Sequence, residues 1–201
     1  KNPIIVSTQR DYIAGEISKS ITMQRIMSDR VKHAHSTGEI HVHDTDYEIQ
    51  RMHNCELINL EDMLMNGTEI SGVHIDSPRS LITASTVASQ IIAQVASQQY
   101  GGQTITLSHL APFVDISRQK IKKRLTKELN EFDIDITPEK LNALVEAEVT
   151  KEMEASCQTI QYQLITLQTT NGQAPFVTIF MYLNEVPEGQ TRDDLAKLIE
   201  I

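Results

Sequence analysis

The run Phe176-Val177-Thr178-Ile179-Phe180-Met181-Tyr182-Leu183 is β-branched, aromatic and almost wholly apolar, and few folds can house it. Such a segment is expected to be a strand buried on both faces, in a parallel sheet or a barrel. Before it lies a long helical pattern that opens at Thr137-Pro138-Glu139, a capping residue followed by proline at the first helical position, and runs to about Leu167. Within that pattern Leu141, Val145, Val149, Met153, Cys157, Ile160, Leu164 and Leu167 recur at spacings of three and four. Cys157 therefore reads as a buried core thiol. Long helices that separate buried strands define an α/β fold, and neither internal repeats nor a low-complexity linker divides the chain. Residues 1–201 are expected to form a single α/β domain that is incomplete at its C-terminus.

Other elements follow from the same patterning. Ile17, Ile21, Met23, Ile26, Met27 and Val31 predict a helix from Ala14 to about His35, stopped by Thr37-Gly38. Ile40-His41-Val42-His43 alternates as a half-buried strand does, and Asp44-Thr45-Asp46 turns the chain after it. A second extended piece near His53 to Ile58 precedes Asn59, which caps a short helix through Met65 before Asn66-Gly67. Ser77-Pro78 predicts the start of a helix that runs to Tyr100 and ends at Gly101-Gly102. Ala84, Val87, Ala88, Ile91, Val95 and Ala96 form its small-residue stripe, and Arg79 is its single charge, so other helices should cover it. A further helix spans Ala111 to Glu131. The last one opens at Thr191 as N-cap, with Asp193 and Asp194 in its first turn and Leu195, Leu198 and Ile199 on one face.

Composition narrows the function. A 201-residue chain with 40% hydrophobic and 22% charged residues can build a core. Its formal charge of −9 argues against a nucleic-acid-binding surface, which needs clustered positive charge. Two cysteines, Cys55 and Cys157, without CxxC spacing suggest neither a disulfide framework nor a cysteine zinc site, and fit a reducing cytoplasm. No apolar run approaches the roughly 20 residues of a membrane span, and Lys1-Asn2-Pro3-Ile4 is not a signal peptide, so no membrane association is expected.

Three polar groupings could carry chemistry. His41, His43, Asp44, Asp46 and His53 are the densest, and His-x-His at a strand end can hold a divalent metal. A metal-dependent hydrolase is thus one reading; a polar turn whose carboxylates satisfy nearby amides is the other. His53-Asn54-Cys55 sets an amide beside a thiol on a strand edge. Arg118, Lys120, Lys122, Lys123, Arg124 and Lys127 concentrate positive charge in an acidic chain, either as a solvated helical face or as a phosphate site.

Four blocks, in order, carry a family resemblance: Ile40-His41-Val42-His43-Asp44-Thr45-Asp46-Tyr47; Asn54-Cys55; Ser77-Pro78-Arg79-Ser80-Leu81; and Gln94-Val95-Ala96-Ser97-Gln98-Gln99-Tyr100-Gly101-Gly102-Gln103. With the later Gln168 to Val177 they make the chain resemble the anaerobic, glycyl-radical ribonucleoside-triphosphate reductases, in the N-terminal part of the catalytic domain. That resemblance implies a ten-stranded α/β barrel, of which these residues are the first portion, and long helices at a homodimer interface. It implies that Cys55 is the first-strand cysteine that faces the ribose, that Asn54 helps hold the substrate, and that His53 and Ser77 are substrate-binding. It further implies effectors (deoxynucleoside triphosphates or ATP) beside the dimer interface, with Lys122 on phosphate and Gln90 a polar contact. A ribonucleoside triphosphate would be the substrate, formate the reductant, and a radical-SAM activase would install the glycyl radical. No metal is expected in these residues. The finger loop and the glycyl-radical segment are not among them, so the chain alone is expected to bind nucleotide and dimerise without turnover.

Overall fold

The computed structural model describes residues 4–49, 52–99, 101–169 and 174–201. Among these, α1 (Val6–Ile21) passes through a π-helical turn, Thr22–Ile26, and α2 follows (Asp29–Thr37). The helix expected from Ala14 to His35 thus begins earlier and is interrupted, because Met27 is extended and Ser28 starts a new cap by accepting from Val31 N. Gly38, at φ 82°, ends α2 as the sequence predicts. The strand expected at Ile40–His43 does not form: these residues are irregular and have no strand partner among the described residues. Alternation of apolar and polar residues gives a strand only where a neighbour supplies the ladder.

β1 (Glu56–Leu57) leads to α3 (Leu60–Met65), capped by Asn59 accepting from Asp62 N. An antiparallel hairpin that sequence patterning missed comes next, β2 (Thr68–Ile70) and β3 (Val73–Ile75), turning at Ser71-Gly72. Ser77-Pro78 lies before α4 (Leu81–Ala96), not inside it: the N-cap is Ser80, which accepts from Thr83 N. The helix ends at Ala96, short of the expected Tyr100, which itself lies outside the described residues. β4 (Gln103–Thr106) follows, then α5 (Pro112–Glu131) and α6 (Pro138–Thr166), each with proline in its first turn. Thr137 caps α6 as predicted. β5 (Val177–Phe180) and α7 (Gln190–Glu200) complete the chain, with Gly189 rather than Thr191 at the N-cap of α7. The loop residues Thr170 to Gln173 also lie outside the described residues.

β1, β4 and β5 form a parallel sheet with β4 in the centre. The strand expected to be buried on both faces is half-buried: β5 is an edge, and Phe176, Phe180, Met181 and Tyr182 are exposed. The mixed α/β class is therefore correct, with a small parallel sheet rather than a closed barrel within these residues.

The core lies between the sheet and α4, α5 and α6. Ala84, Ala88, Ile91 and Ile92 of α4 meet Val145, Val149 and Met153 of α6 and Phe113, Val114 and Ile121 of α5. Each fully buried Leu, Ile or Phe here contributes about 1.5–3 kcal/mol. The charge-free helix is covered by helices, as its composition predicts, but they are helices of the same chain. The small-residue stripe expected at a dimer interface is thus already occupied by α6 and α5. Close packing leaves the start of α4 inside, where side chains satisfy its free amides. Leu81 N donates to Ser117 Oγ at 2.7 Å, Ile82 N donates to Glu152 Oε1 at 3.1 Å, and Ser117 Oγ donates to the same carboxylate oxygen at 2.8 Å.

Candidate functional site

The three parallel strands begin side by side, so the residues just before them converge. Asn54-Cys55 precedes β1, Gly101-Gly102 precedes β4 and Phe176 precedes β5. Backbone bonds stitch these ends together: Gly101 N donates to Asn54 O at 2.7 Å, Glu56 N to Gly102 O at 3.2 Å, and Gln103 N to Phe176 O at 3.0 Å. Cys55 is exposed, and its thiol donates to Asn54 Oδ1 at 3.8 Å. The structure thus brings together the thiol and the amide that the sequence singles out.

Glycine at 101 is required by this contact. A Cβ there would stand 2.3 Å from Asn54 O, 2.6 Å from Asn54 Oδ1 and 2.8 Å from Cys55 Sγ. A Cβ at 102 would meet the Phe176 ring at 2.4 Å. The two glycines, which the sequence suggests merely as a helix terminator, therefore build the site. The buried Gln99 adds to it, its Nε2 donating to Gly102 O at 2.7 Å. Nothing in helical or strand periodicity marks Gln99; the block of residues that carries the family resemblance does contain it.

The other expected site residues make no described side-chain contact with Cys55. His53 is exposed and its Nδ1 lies 2.7 Å from Glu56 Oε1, so it turns along its own strand. Ser77 is half-buried between β3 and α4 and makes no described hydrogen bond to Asn54 or Cys55. Gln90 on α4 and Lys122 on α5 are both exposed, and no described bond joins them. Half of the basic run is engaged: Arg118 holds Asp194, Glu146 and Asp115, Arg124 pairs with Glu128 and Glu148, and Lys127 with Glu131. Burial opposes the charge on Arg118, yet its bonds to Asp194 and Glu146 hold its pKa above the ordinary arginine value. Lys122 pairs with no carboxylate among the described residues, which leaves it available to an anion.

His41 Nε2 and His43 Nδ1 sit 3.2 Å apart, the His35 ring lies tilted to that of His41 at 5.7 Å between centroids, and His43 approaches Asp44 at 3.3 Å. Among the described residues no three His, Cys, Asp or Glu side chains are grouped to hold a metal ion. Cys157 is half-buried on α6 and burial pushes its thiol pKa up, as suits a packing residue. At the opposite ends of the strands, Glu185 accepts from Ser108 Oγ at 2.7 Å and from Thr106 Oγ1, beside a cleft of about 460 Å³.

The family described as anaerobic ribonucleoside-triphosphate reductase matches residues 1–201. The anaerobic ribonucleoside-triphosphate reductases of Haemophilus influenzae and Escherichia coli are each 40% identical over 181 residues, covering 89% of this chain and 24% of theirs. That of enterobacteria phage T4 is 36% identical over 182 residues, covering 89% of this chain and 29% of its own. A crystal structure of the anaerobic ribonucleotide reductase from Thermotoga maritima with dATP and CTP shares the fold, at a TM-score of 0.59 and 15% identity over 96% of this chain and 32% of that one. The sequence given thus spans about 24% of the length of the first two relatives. The hydrolase reading of the histidine cluster is set aside, and this chain belongs to the family of anaerobic ribonucleoside-triphosphate reductases.

Proposed function

We propose that these residues are the N-terminal portion of the catalytic domain of an enzyme that reduces ribonucleoside triphosphates to deoxyribonucleotides, with Cys55 facing the ribose. The observation that carries this reading is the exposed Cys55 thiol beside the Asn54 amide, held at the head of a parallel sheet by Gly101. When the full enzyme is assembled, a glycyl radical on a later segment supplies the thiyl that starts the reaction. The local residues suit that partner: a free thiol can give up a hydrogen atom, becoming oxidised, and be restored by reduction with formate as the electron source, which a serine hydroxyl cannot do readily. Asn54 offers both donor and acceptor atoms to a sugar hydroxyl. His53 and Ser77 stand as further substrate contacts from the flanking segments.

The parallel sheet is one part of a ten-stranded barrel that later residues close, and residues 1–201 form one incomplete domain of it. The exposed faces of α4 and α5, with Gln90 and Lys122, take a deoxynucleoside triphosphate or ATP effector at a homodimer interface. Formate is the reductant, a radical-SAM activase is the partner that installs the radical, and the enzyme works in the cytoplasm.

The test is made on the full-length reductase. Cys55→Ser abolishes deoxynucleotide formation from ribonucleoside triphosphate and formate while leaving glycyl-radical content unchanged, and Cys157→Ser keeps activity. Turnover by Cys55→Ser at the wild-type rate would refute the assignment. Residues 1–201 alone form no deoxynucleotide, yet bind a deoxynucleoside triphosphate as a dimer, checked by calorimetric titration with light scattering.

A further inference from the structure

The strand pairing next to Cys55 contains an irregularity. His53 pairs with Gln99 in a parallel bridge, whereas Glu56 pairs with Gln103, so the register slips by one residue between the two pairs. Asn54 and Cys55 on one side therefore face Gly101 and Gly102 across a shifted register, the arrangement of a β-bulge. Bulges are uncommon between parallel strands, and they re-aim the side chains beside them.

Two residues fix this bulge. Gly101 lies within it and donates to Asn54 O at 2.7 Å, with no room for a side chain between itself and Cys55 Sγ. Gln99 closes it from beneath: its Nε2 donates at 2.7 Å to Gly102 O, the same carbonyl that accepts from Glu56 N at 3.2 Å. Gln99 is 4% exposed, and its Oε1 is buried without a hydrogen-bond partner among the described residues. An apolar side chain of that shape would bury no unmet oxygen, so packing does not account for the amide. What the amide does supply is a clamp on the carbonyl that joins the bulge to β1.

We propose that Gln99 and Gly101 are positioning residues for the Cys55 thiol, acting through the bulge that sets its direction. The inference rests on the reading of Cys55 given above, and the experiment separates the two. It uses the full-length reductase, with two readouts in each variant: the rate at which iodoacetamide alkylates Cys55, mapped by peptide mass spectrometry against Cys157 as internal reference, and steady-state turnover with glycyl-radical content by EPR.

Gly101→Ala moves the thiol by the ångström or so that a Cβ demands, and turnover is expected to fall on the order of 100-fold. The fall is in kcat rather than KM, the radical signal holds, and the alkylation rate of Cys55 changes while that of Cys157 does not. Gln99→Met, which keeps the volume and removes the donor, shifts both readouts in the same direction by a smaller factor, and Gln99→Glu, assayed where its carboxyl is protonated, restores the Cys55 alkylation rate. If Gly101→Ala does not fold, Gln99→Met carries the test alone. Wild-type Cys55 alkylation and wild-type kcat in Gln99→Met would overturn the proposal. Full turnover by Cys55→Ala would instead overturn the role of Cys55, and the alkylation rates would still decide whether Gln99 and Gly101 position it.

Discussion

Arg118 on α5 grips Asp194 on α7 at two points, with Nη1 donating to Oδ2 at 3.0 Å and Nη2 to Oδ1, and the Asp194 carboxylate is wholly buried. Arg118 Nε donates to Glu146 Oε1 on α6 at 2.7 Å, so one guanidinium joins three helices. Removing Arg118 strands the wholly buried Asp194 carboxylate without a cation, so Arg118→Met is expected to cost about 3–5 kcal/mol in urea unfolding. The double replacement Arg118→Met with Asp194→Leu removes both charges and should recover most of that loss. A double variant as unstable as the single one would show that the pair itself, rather than the stranded charge, holds α7 in place.

Acid should weaken the same junction. Burial alone would raise the pKa of Glu146, but the hydrogen bond and charge of Arg118, helped by Lys197, bring it below the ordinary 4.5. Glu185 is lowered too, by hydrogen bonds from Ser108 and Thr106. A carboxylate whose folded pKa is depressed stabilises the fold above its unfolded pKa, and that contribution disappears as pH falls through the folded value. Thermal midpoints measured from about pH 6 down to about pH 3 should therefore fall more for the wild type than for Glu146→Gln, which has one such group fewer. Parallel curves would mean that Glu146 does not contribute to the acid dependence.

Gly189 begins α7 at φ 142° and ψ −172°, a region that is essentially glycine-only. No atom lies within 4 Å of where a Cβ would stand, so the obstacle is the backbone and not space. Gly38, at φ 82° and ψ 11°, is left-handed in the way asparagine tolerates. Gly189→Asn is expected to lose about 1–3 kcal/mol and Gly38→Asn clearly less. Equal losses in chemical denaturation would refute the distinction.

Helix ends with strong local chemistry were legible in the sequence. Thr137-Pro138, Asn59 and Gly38 act as their residue types dictate, and the apolar stripe of α6 is buried where its spacing puts it. Ser77-Pro78 misled because Ser80 competes for the cap and wins, its backbone already fully extended and its oxygen within reach of Thr83 N. The alternation at Ile40–His43 misled because pairing partners are a tertiary property. At the candidate site, Asn54 and Cys55 were found through family likeness. Gln99 and the bulge were not, since a register slip involves two distant segments and leaves no periodic trace in either. Lone charges were equally ambiguous: Arg118 looked like part of a basic face and is instead a clamp on a buried carboxylate, a difference decided by Asp194, which lies far along the chain.

What that clamp leaves free is the lysine one turn further along α5. Lys122, like Lys120 and Lys123, is exposed and has no carboxylate partner among the described residues, whereas Arg118, Arg124 and Lys127 are paired. A triphosphate seated there would gain a charge-assisted bond at no cost in broken ion pairs. Lys122→Ala in the full-length reductase is therefore expected to weaken deoxynucleoside triphosphate binding about tenfold or more, and Gln90→Ala by a smaller factor. Because the gain is electrostatic, the difference between wild type and Lys122→Ala should shrink as salt is raised. Calorimetric titration with each deoxynucleoside triphosphate at low and high salt reads both effects. Unchanged affinity for every effector in Lys122→Ala would remove Lys122 from the site, and a salt-independent loss would point to altered helix packing instead of a phosphate contact.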